Sequence, residues 1–344
     1  MTYDSKLFTG AVELLKELIA TPSYSREEDQ TAGIITRYLA LNRVEHARID
    51  NNVYAFNKFF DPAKPTILLN SHHDTVKPAK GYTLDPFTPV VKDGKLFGLG
   101  SNDAGGPLVS LLATFLHFYG KQGLKYNLAI AATAEEEISG PNGIEALLKK
   151  KSFLEKLEGR EFDCAIVGEP TQMHMAVAER GLLVLDAVAF GKAGHAARNE
   201  GENAITKAIQ DITWINGYQF PKDSPLLGKV KMSVTVIETE NKAHNVVPAV
   251  CRFVIDIRVN ECYTFDEIIE VLKRHMVSEI QPRSTRLRST SISTDHPLIV
   301  SGKALGRSCY GSPTTSDKAL MFFPALKMGP GDSARSHTAD EYIY

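Results

Sequence analysis

Four stretches of this sequence run apolar and then end on side chains that commonly bind metal ions. The first ends in His72–Asp74 and the second in the acidic run Glu135–Glu137. The third ends at Glu169, and the fourth ends at Asp332, with His337 just beyond. Imidazole and carboxylate groups are the usual ligands of catalytic divalent metals. Four such clusters in one chain indicate a hydrolytic metal centre.

The apolar stretches before these clusters predict the elements that position them. Short apolar runs without alternation are typical of strands buried on both faces of a parallel sheet. Ligands of such sheets bind outside the carboxyl ends of the strands. The sequence therefore predicts an α/β fold in which four strand ends bring the clusters to one crevice. The runs are Thr66–Ser71, Tyr126–Ala132, Phe162–Val167 and Phe322–Met328.

Two divalent ions would each need an imidazole and a carboxylate, with a further carboxylate shared between them. Asp103, in a glycine-rich loop, is the candidate for the shared position. The predicted ligands are His72, Asp103, Glu137, Glu169 and His337. Their three negative charges leave the two ions with a single positive charge, which a bridging hydroxide neutralises. Ions about 3.5–4 Å apart can generate that hydroxide near neutral pH.

Two more residues of the same clusters have predicted supporting roles. Such a centre requires a base for the water proton, and Glu136, next to a ligand but not needed as one, fits that role. Asp74, two residues beyond His72, is placed to hold the imidazole N–H. The register of base and ligand stays open by one residue, because Glu135 could shift both along the run.

These segments resemble, in chain order, the motifs of the zinc-dependent family that contains acetylornithine deacetylase, succinyl-diaminopimelate desuccinylase, aminoacylase and carboxypeptidase G. His72–Val76 resembles the HxDxV signature of that family, Thr133–Glu137 its T-x-D/E-E-E segment, and Gly168–Thr171 its GEPT motif. Gly329–Gly331 and His337–Glu341 complete the set, so the resemblance covers nearly the whole chain. It implies a metal-dependent amidohydrolase with two divalent ions, zinc in the first place and cobalt as a substitute.

The resemblance extends to a second region of the chain, where it implies further site residues. Gly191–His195 resembles a lid motif whose histidine polarises the substrate carbonyl, often from the other subunit of a dimer. Asn245–Pro248 and Asp256–Arg258 resemble the NVVP and D-x-R segments of the same lid. We therefore expect a homodimer formed through the lid. The residues implied are His195 for catalysis and Asn245 and Arg258 for substrate binding.

One departure from the family pattern concerns the shared aspartate. Relatives commonly carry a lysine shortly after it, in a D-x-K-G sequence, whereas Asp103 is followed here by Ala104–Gly106. The difference weakens any supporting role for that lysine position and leaves the ligand itself in place.

The changing texture of the sequence predicts two domains, as expected for 344 residues. Residues 1–176 alternate helices with buried strands, as an α/β domain does. From 177 to 289 the order strand-helix-strand-strand-helix-strand is that of a ferredoxin-like α+β sandwich, with its last strand near Arg286–Ile292. We therefore expect a mainly parallel-stranded, metallopeptidase-like catalytic domain from residues 1–176 and 290–344. The inserted residues 177–289 are expected to form a lid and dimerisation domain.

Patterns near the amino terminus predict two helices. Apolar residues from Leu7 to Ile19 recur at helical spacing, which is typical of an amphipathic helix and not of a signal segment. Ser25 followed by Glu28 is a capping-box pattern, and it predicts a second helix that reaches about Leu41.

Composition and charge exclude several classes of partner. With 43% hydrophobic and 23% charged residues the chain is typical of a globular protein. A net charge of −2 gives no reason to expect nucleic acid or an anionic membrane as partner. The four cysteines are far apart and form no CxxC pair, which favours the reducing cytoplasm over secretion. A cytoplasmic enzyme with a small-molecule substrate is the resulting expectation.

The leading functional hypothesis is hydrolysis of the amide of an N-acyl amino acid. The Asp103–Pro107 loop and the compact length are most similar to the acetylornithine deacetylase branch. This implies N-acetyl- or N-succinyl-L-ornithine as substrate, and a role in arginine biosynthesis. The alternatives are a succinyl-diaminopimelate desuccinylase, a di- or tripeptidase, and a non-catalytic module that binds metal or amino acids. The presence of Glu136 argues against the last, because a binding module needs no base.

Overall fold

The computed structural model describes residues 5–198 and 200–344, and within them the chain divides into two compact units. The first unit runs to Val177 and resumes over Ile292–Tyr310 and Ser316–Tyr344. The second unit consists of Ala178–Ser291 together with Gly311–Thr315, a segment that the sequence analysis assigned to the catalytic domain. Residues 1–4 of the predicted catalytic domain lie outside the described residues.

Helices and groups of consecutive strands follow one another along the described chain. The helices are α1 Ser5–Ile19, α2 Asp29–Leu41, α3 Gly106–Tyr119, α4 Ile144–Leu147, α5 Lys151–Leu154, α6 Ala204–Gly217, α7 Phe265–His275 and α8 Pro297–Ala304. The strands are β1 His46–Ile49, β2 Asn52–Phe56, β3 Thr66–His72, β4 Val90–Lys92, β5 Lys95–Phe97, β6 Asn127–Thr133, β7 Cys164–Val167, β8 Met175–Glu179, β9 Gly181–Phe190, β10 Gly194–His195, β11 Lys231–Thr239, β12 Val246–Val247, β13 Val250–Val259, β14 Glu279–Pro282, β15 Thr290–Ser291, β16 Cys309–Ser312, β17 Ala325–Lys327 and β18 Tyr342–Ile343.

The main sheet of the first unit is mixed, with a parallel centre. Its strand order is β1-β2-β6-β3-β7-β17-β8. The four strands β6, β3, β7 and β17 pair in parallel, and they arise from the four apolar runs that predicted them. The flanking pairs β1–β2, β2–β6 and β17–β8 are antiparallel. The α/β prediction is therefore confirmed, and the sheet is parallel only where it carries the predicted ligands.

Both faces of this sheet are covered, which explains the unbroken apolar runs. On one face, α1, α2 and α3 pack against the sheet through a core that includes Leu15, Ile35, Leu69 and Phe115. On the other face, aromatic rings cluster around Phe153 of α5, whose centroid lies 4.8 Å from that of Tyr54. Strands covered on both sides have no solvent face, so their residues need not alternate between apolar and polar.

The second unit has the predicted order of strands and helices. Its antiparallel sheet has the order β11-β13-β9-β14, and α6 and α7 contribute to one core with it. This connectivity and order are those of a ferredoxin-like sandwich. The prediction for the last strand was wrong, because β14 lies at Glu279–Pro282 and not near Arg286–Ile292. Thr290–Ser291 instead pairs with Ala178 and Glu179 of β8.

Two local predictions in the first unit also need correction. The fourth apolar run forms a strand only over Ala325–Lys327, and Phe322 is 81% exposed. Helix α2 begins at Asp29, as part of the predicted helix, but the capping box is absent. Its N-cap residue is Glu28, which makes no side-chain capping bond, and Ser25 donates its hydroxyl elsewhere. Within the described ranges, no helix has both the length and the apolar character that a membrane span requires.

Candidate metal centre

The predicted ligands meet at the carboxyl ends of the parallel strands of the first unit. His72 is the last residue of β3, and Glu137 lies in the turn that follows β6. Glu169 lies just after β7, and His337 follows β17 beyond the short turn Ser333–Arg335. Asp103 belongs to the turn Ser101–Gly105 that leads into α3, and its peptide bond to Ala104 is cis. The structure thus brings all five residues together.

His72 has one ring nitrogen fixed and the other left without a hydrogen-bond partner. Its Nδ1 lies 3.0 Å from the backbone oxygen of Asp74 and 3.3 Å from Asp74 Oδ1, so it carries the proton. The buried Nε2 has no hydrogen-bond partner. It lies 3.4 Å from Asp103 Oδ1, 3.8 Å from Glu169 Oε1 and 3.9 Å from Glu136 Oε2. A buried ring nitrogen that faces several carboxylate oxygens without a hydrogen bond to any of them fits a metal ligand.

The second imidazole faces the other side of the same aspartate. His337 Nε2 lies 2.9 Å from Glu137 Oε2 and 3.8 Å from Asp103 Oδ2. The two oxygens of Asp103 therefore face two different imidazoles, as a ligand shared by two ions must. His72 is buried, whereas the His337 side chain is 54% exposed. The cluster of ligands is therefore accessible to solvent on the side of His337.

Among the residues that the structure describes, two groups of three side chains place ligand atoms within 4.8 Å of one another. One group is His72, Asp103 and Glu137, and the other is His72, Glu136 and Glu169. Glu136 and Glu137 each occur in one group, so these distances alone do not select which of them is the base. The assignment of Glu136 as base stays a prediction.

Burial, together with the crowding of acidic groups, shifts the pKa values across the centre. Burial raises the pKa of Glu136 well above its ordinary value, and the charge of Glu169 adds to this effect while His72 opposes it. Burial also raises the pKa of Glu169, to about 8. Without metal, Glu169 therefore holds a proton at neutral pH, and the pKa of Glu136 is shifted in the same direction. A divalent ion bound by Glu169 would displace its proton, so metal binding is coupled to proton release.

The two imidazoles respond in the opposite sense from an isolated buried histidine. Burial lowers the pKa of His72, but Glu136, Asp103 and Asp74 outweigh it and raise that pKa well above its ordinary value. The hydrogen bond to Glu137 raises the pKa of His337 to about 9. An orphaned Nε2 and an excess of carboxylates together fit a site for cations.

Buried carboxylates hold the acidic turn after β6 by its backbone. Asp74 Oδ1 accepts from the backbone N–H of Glu136, and Oδ2 accepts from that of Glu137, both at 3.1 Å. Glu28 Oε1 accepts from the N–H of Glu135 at 3.2 Å. Three successive N–H groups therefore point at two buried acidic side chains. Asp74 thus positions both an imidazole and the turn with the predicted base.

Several residues that support the centre were not predicted from the sequence. Ser25 donates to Asp74 Oδ2 at 2.7 Å, although its pattern with Glu28 predicted a helix cap. Asp317 accepts from the Thr133 hydroxyl at the end of β6, and burial raises the pKa of Asp317 to about 7. Glu341 accepts three backbone N–H groups around Asp103. For Glu341, one sequence feature pointed to the site: it is the last residue of the His337–Glu341 segment, which begins with a predicted ligand.

Three predicted site residues lie in the second unit. His195 is exposed, and its Nδ1 accepts from the N–H of Ala197 at 3.2 Å. Asn245 lies beside the His195 segment, because Ala196 N donates to Asn245 O and strand β10 pairs with strand β12. Arg258 lies near the far end of β13 and donates two hydrogen bonds to Asp256, at 2.8 and 3.0 Å. The structure brings His195 and Asn245 together and leaves Arg258 apart.

Comparisons with known proteins agree with this fold. The model of the peptidase family M20/M25/M40 matches residues 68–344. Succinyl-diaminopimelate desuccinylase 2 of Ruegeria sp. is 27% identical over 278 residues, which cover 77% of this chain and 69% of the relative. An M20 family metallo-carboxypeptidase of Sulfolobus solfataricus has a TM-score of 0.73 at 19% identity, over 99% of this chain and 95% of that chain. A dinuclear metal binding peptidase of the M20 family from Bacillus subtilis has a TM-score of 0.66 at 15% identity, over 95% and 90% of the two chains.

The fold and the cluster of ligands define a metal-dependent hydrolase that acts on amide bonds of small molecules. The match of the family model over most of the chain makes the family plain: this chain belongs to the peptidase family M20/M25/M40.

Proposed function

We propose that the chain is a dinuclear metal hydrolase that removes an acyl group from the nitrogen of a small amino acid. The observation that carries the proposal is Asp103, whose two oxygens face two imidazoles that each have a further carboxylate nearby. Zinc is the proposed metal, with cobalt as a substitute. The proposed ligand sets are His72, Asp103 and Glu169 for one ion, and Asp103, Glu137 and His337 for the other.

The proposed roles around the centre follow from the positions of the side chains. Two bound ions would supply a water of lowered pKa and polarise the scissile carbonyl. Glu136 accepts the proton of the attacking water and returns it to the leaving nitrogen. The backbone N–H of Glu136 donates to Asp74 Oδ1 at 3.1 Å, which fixes the backbone from which the base extends. Asp74 also keeps the Nδ1 proton of His72 in place, at 3.0 Å from its backbone oxygen.

His195 is proposed to stabilise the oxygen on which negative charge develops during acyl transfer. Because its Nδ1 accepts from Ala197, the neutral ring carries its proton on Nε2 and can donate from there. An exposed side chain on a two-stranded ladder can take this role once it is brought to the substrate. A donor to the developing oxyanion contributes about 10²–10³ to turnover.

The spacing within the second unit supports a site built from two chains. Residues 250 to 258 of β13 span about 26 Å at the usual rise of a strand. Asn245 precedes this strand and Arg258 lies near its end, so one copy of the unit cannot present both to one small substrate. We therefore propose a homodimer in which His195 and Asn245 act on the partner's substrate. The edge strand β11, with Val236 and Ile237 about half exposed, is the proposed contact surface.

The substrate is proposed at the level of acyl group and amino acid. N-Succinyl- and N-acetyl-L-ornithine follow from the resemblance of the Asp103–Pro107 loop, and would place the enzyme in arginine biosynthesis. The named relatives at about 27% identity favour a succinyl group, and support succinyl-diaminopimelate in the lysine pathway as the second candidate. A non-catalytic module is disfavoured, because the proposed ligand sets do not need Glu136, whose part-buried side chain has its Oε2 3.9 Å from His72 Nε2.

One experiment tests the reaction and the metal together. The purified chain is stripped of metal, reloaded with zinc, desalted and assayed for metal content and for hydrolysis. The panel contains N-acetyl- and N-succinyl-ornithine, -citrulline and -lysine, and succinyl-diaminopimelate. We expect two zinc ions per chain and the fastest cleavage for a succinylated or acetylated ornithine. A plateau at one ion per chain would refute the dinuclear centre. Two bound ions without hydrolysis of any member would leave the metal site and refute the substrate class.

A further inference from the structure

Glu341 is a buried carboxylate that is not among the proposed ligands or bases. It is 2% exposed, and its side chain accepts three hydrogen bonds from backbone N–H groups of one loop. Oε1 accepts from Asn102 N and Asp103 N, both at 2.8 Å, and Oε2 accepts from Gly100 N at 3.1 Å. One of these donors is the backbone nitrogen of the aspartate that faces both imidazoles.

The loop that receives Glu341 has little freedom to take another path. Gly100 has a left-handed φ of 74°, and a Cβ there would lie 2.7 Å from Thr75 Cγ2. Asp103 itself leaves the helical conformation, with φ −118° and ψ 99°. Because two adjacent residues donate to one oxygen of Glu341, the carboxylate determines how this short turn closes.

The carboxy-terminal segment grips the same loop at a second point. Asn102 Oδ1 accepts from Asp332 N at 2.7 Å, and Asn102 Nδ2 donates to Asp332 O at 3.1 Å. Asp332 and Glu341 lie on either side of His337 in the sequence. The segment that supplies one imidazole is therefore bonded at both ends to the loop that supplies Asp103.

We propose that Glu341 is a positioning residue, which fixes the Asp103 backbone so that the two carboxylate oxygens face His72 and His337. The inference rests on the proposed dinuclear function, because only a shared ligand needs this accuracy on both of its oxygens. The distances to be maintained are 3.4 Å from Oδ1 to His72 Nε2 and 3.8 Å from Oδ2 to His337 Nε2. A rotation of the loop that shortens the distance from Asp103 to one imidazole lengthens its distance to the other.

The chemistry of the contact explains why an acidic residue is needed. Three N–H donors converge on two oxygens, and a carboxylate can accept from all of them. Glutamine has the same shape but offers one oxygen and one NH₂ group. Whichever way the amide is turned, its NH₂ faces a backbone N–H of Gly100 or of Asn102 and Asp103. The loop must then move, and Asp103 moves with it.

The test compares Glu341→Gln with a matched neighbour, Asp340→Asn. Asp340 also accepts backbone N–H groups, but from Thr83 and Leu84, at 2.8 and 3.1 Å, and not from the Asp103 loop. Each protein is loaded with zinc, and its affinity for each ion is measured by competition with a chelator. We expect Glu341→Gln to bind at least one ion about 10–100-fold more weakly, the usual effect of a residue behind a metal ligand. Asp340→Asn should bind both ions like the unchanged chain.

Further readouts separate positioning from a general loss of stability. The visible spectrum of the cobalt-loaded chain reports ligand geometry, and we expect it to change in Glu341→Gln and not in Asp340→Asn. Equal zinc affinities and unchanged cobalt spectra for both variants would overturn the inference, even if Glu341→Gln melts at a lower temperature. If Glu341→Gln does not fold, Glu341→Asp, which keeps both oxygens, is measured in its place. It should still bind zinc more weakly than the unchanged chain, and an equal affinity would overturn the inference.

The outcome for the unchanged chain keeps this inference distinct from the proposed function. If the unchanged chain binds two ions and Glu341→Gln binds them equally well, only the role of Glu341 fails. If the unchanged chain binds two ions but hydrolyses no member of the panel, the metal readout still decides the role of Glu341. If it does not bind two ions at all, the dinuclear function fails and the inference fails with it.

Discussion

Replacement of Asp74 by asparagine tests how far one buried carboxylate organises the centre. Asp74 is fully buried, and four donors converge on its two oxygens. His72 Nδ1 and Glu136 N lie near Oδ1, at 3.3 and 3.1 Å. The Ser25 hydroxyl and Glu137 N lie near Oδ2, at 2.7 and 3.1 Å. Burial acts to raise the pKa of Asp74, but the hydrogen bond to His72 and the other contacts outweigh this effect. The pKa of Asp74 is therefore below its ordinary value, and the group is ionised at neutral pH.

The magnitude follows from the better of two orientations of the new amide. With its NH₂ in place of Oδ1, the amide would face two donors, His72 and Glu136. With its NH₂ in place of Oδ2, the Ser25 hydroxyl can rotate to accept, and only the N–H of Glu137 loses its acceptor. One buried N–H without an acceptor costs about 1–3 kcal/mol in the free energy of unfolding. Zinc affinity should fall about 10–100-fold, since Asp74 holds both an imidazole and the turn of the ligands.

The assay pairs urea unfolding of the metal-free protein with zinc competition against a chelator. Ser25→Ala serves as the matched control, because it removes one of the four donors and leaves the carboxylate in place. We expect its zinc affinity to fall less than that of Asp74→Asn. An Asp74→Asn protein that loses stability but binds zinc as tightly as the unchanged chain would refute the reasoning. The carboxylate would then support the fold and not the metal ligands.

The remaining predictions concern the base, the second unit and pH. Glu136→Gln should keep both zinc ions and lower turnover by about 10²–10⁴, whereas Glu137→Gln should lose metal; the opposite pattern would mean that the register is wrong by one residue. His195→Ala should lower turnover about 10²–10³-fold with unchanged zinc content, and mixing it with Glu136→Gln should restore part of the activity; no recovery after confirmed subunit exchange would place the histidine in its own chain. Because burial raises the pKa of Asp317 to about 7, the metal-free folded chain holds a proton there that the unfolded chain releases, so its stability falls as pH rises from about 4 to 7. Asp317→Asn should reduce that slope by up to about 1.4 kcal/mol per pH unit in urea unfolding, and an unchanged slope would contradict the assignment.

The elements that carry the site could be predicted because their signals are local. An unbroken apolar run marks a strand with both faces covered, and each of the four runs gave a strand of the parallel centre. A ligand at the end of such a strand is placed by the strand itself, so His72 and Glu169 meet at 3.8 Å. The same reasoning gave the order of the second unit, where strand alternation and helical spacing differ within a few residues.

Contacts between distant parts of the chain carry no such signal, and only the tertiary structure decided them. Ser25 and Glu28 fit a capping box, yet Ser25 lies against Asp74, 49 residues away. Glu341 bonds to Gly100 across 241 residues, which no spacing in the sequence could indicate. The antiparallel flanks of the sheet and the position of β14 likewise depend on which strands pair with them in the fold. The sequence by itself determined which four segments contain the parallel strands and which candidate ligands follow them, because an unbroken apolar run is a local property of each segment. The tertiary structure decided which carboxylates position those ligands, because a buried acidic side chain accepts hydrogen bonds from the backbone N–H groups that the fold brings near it.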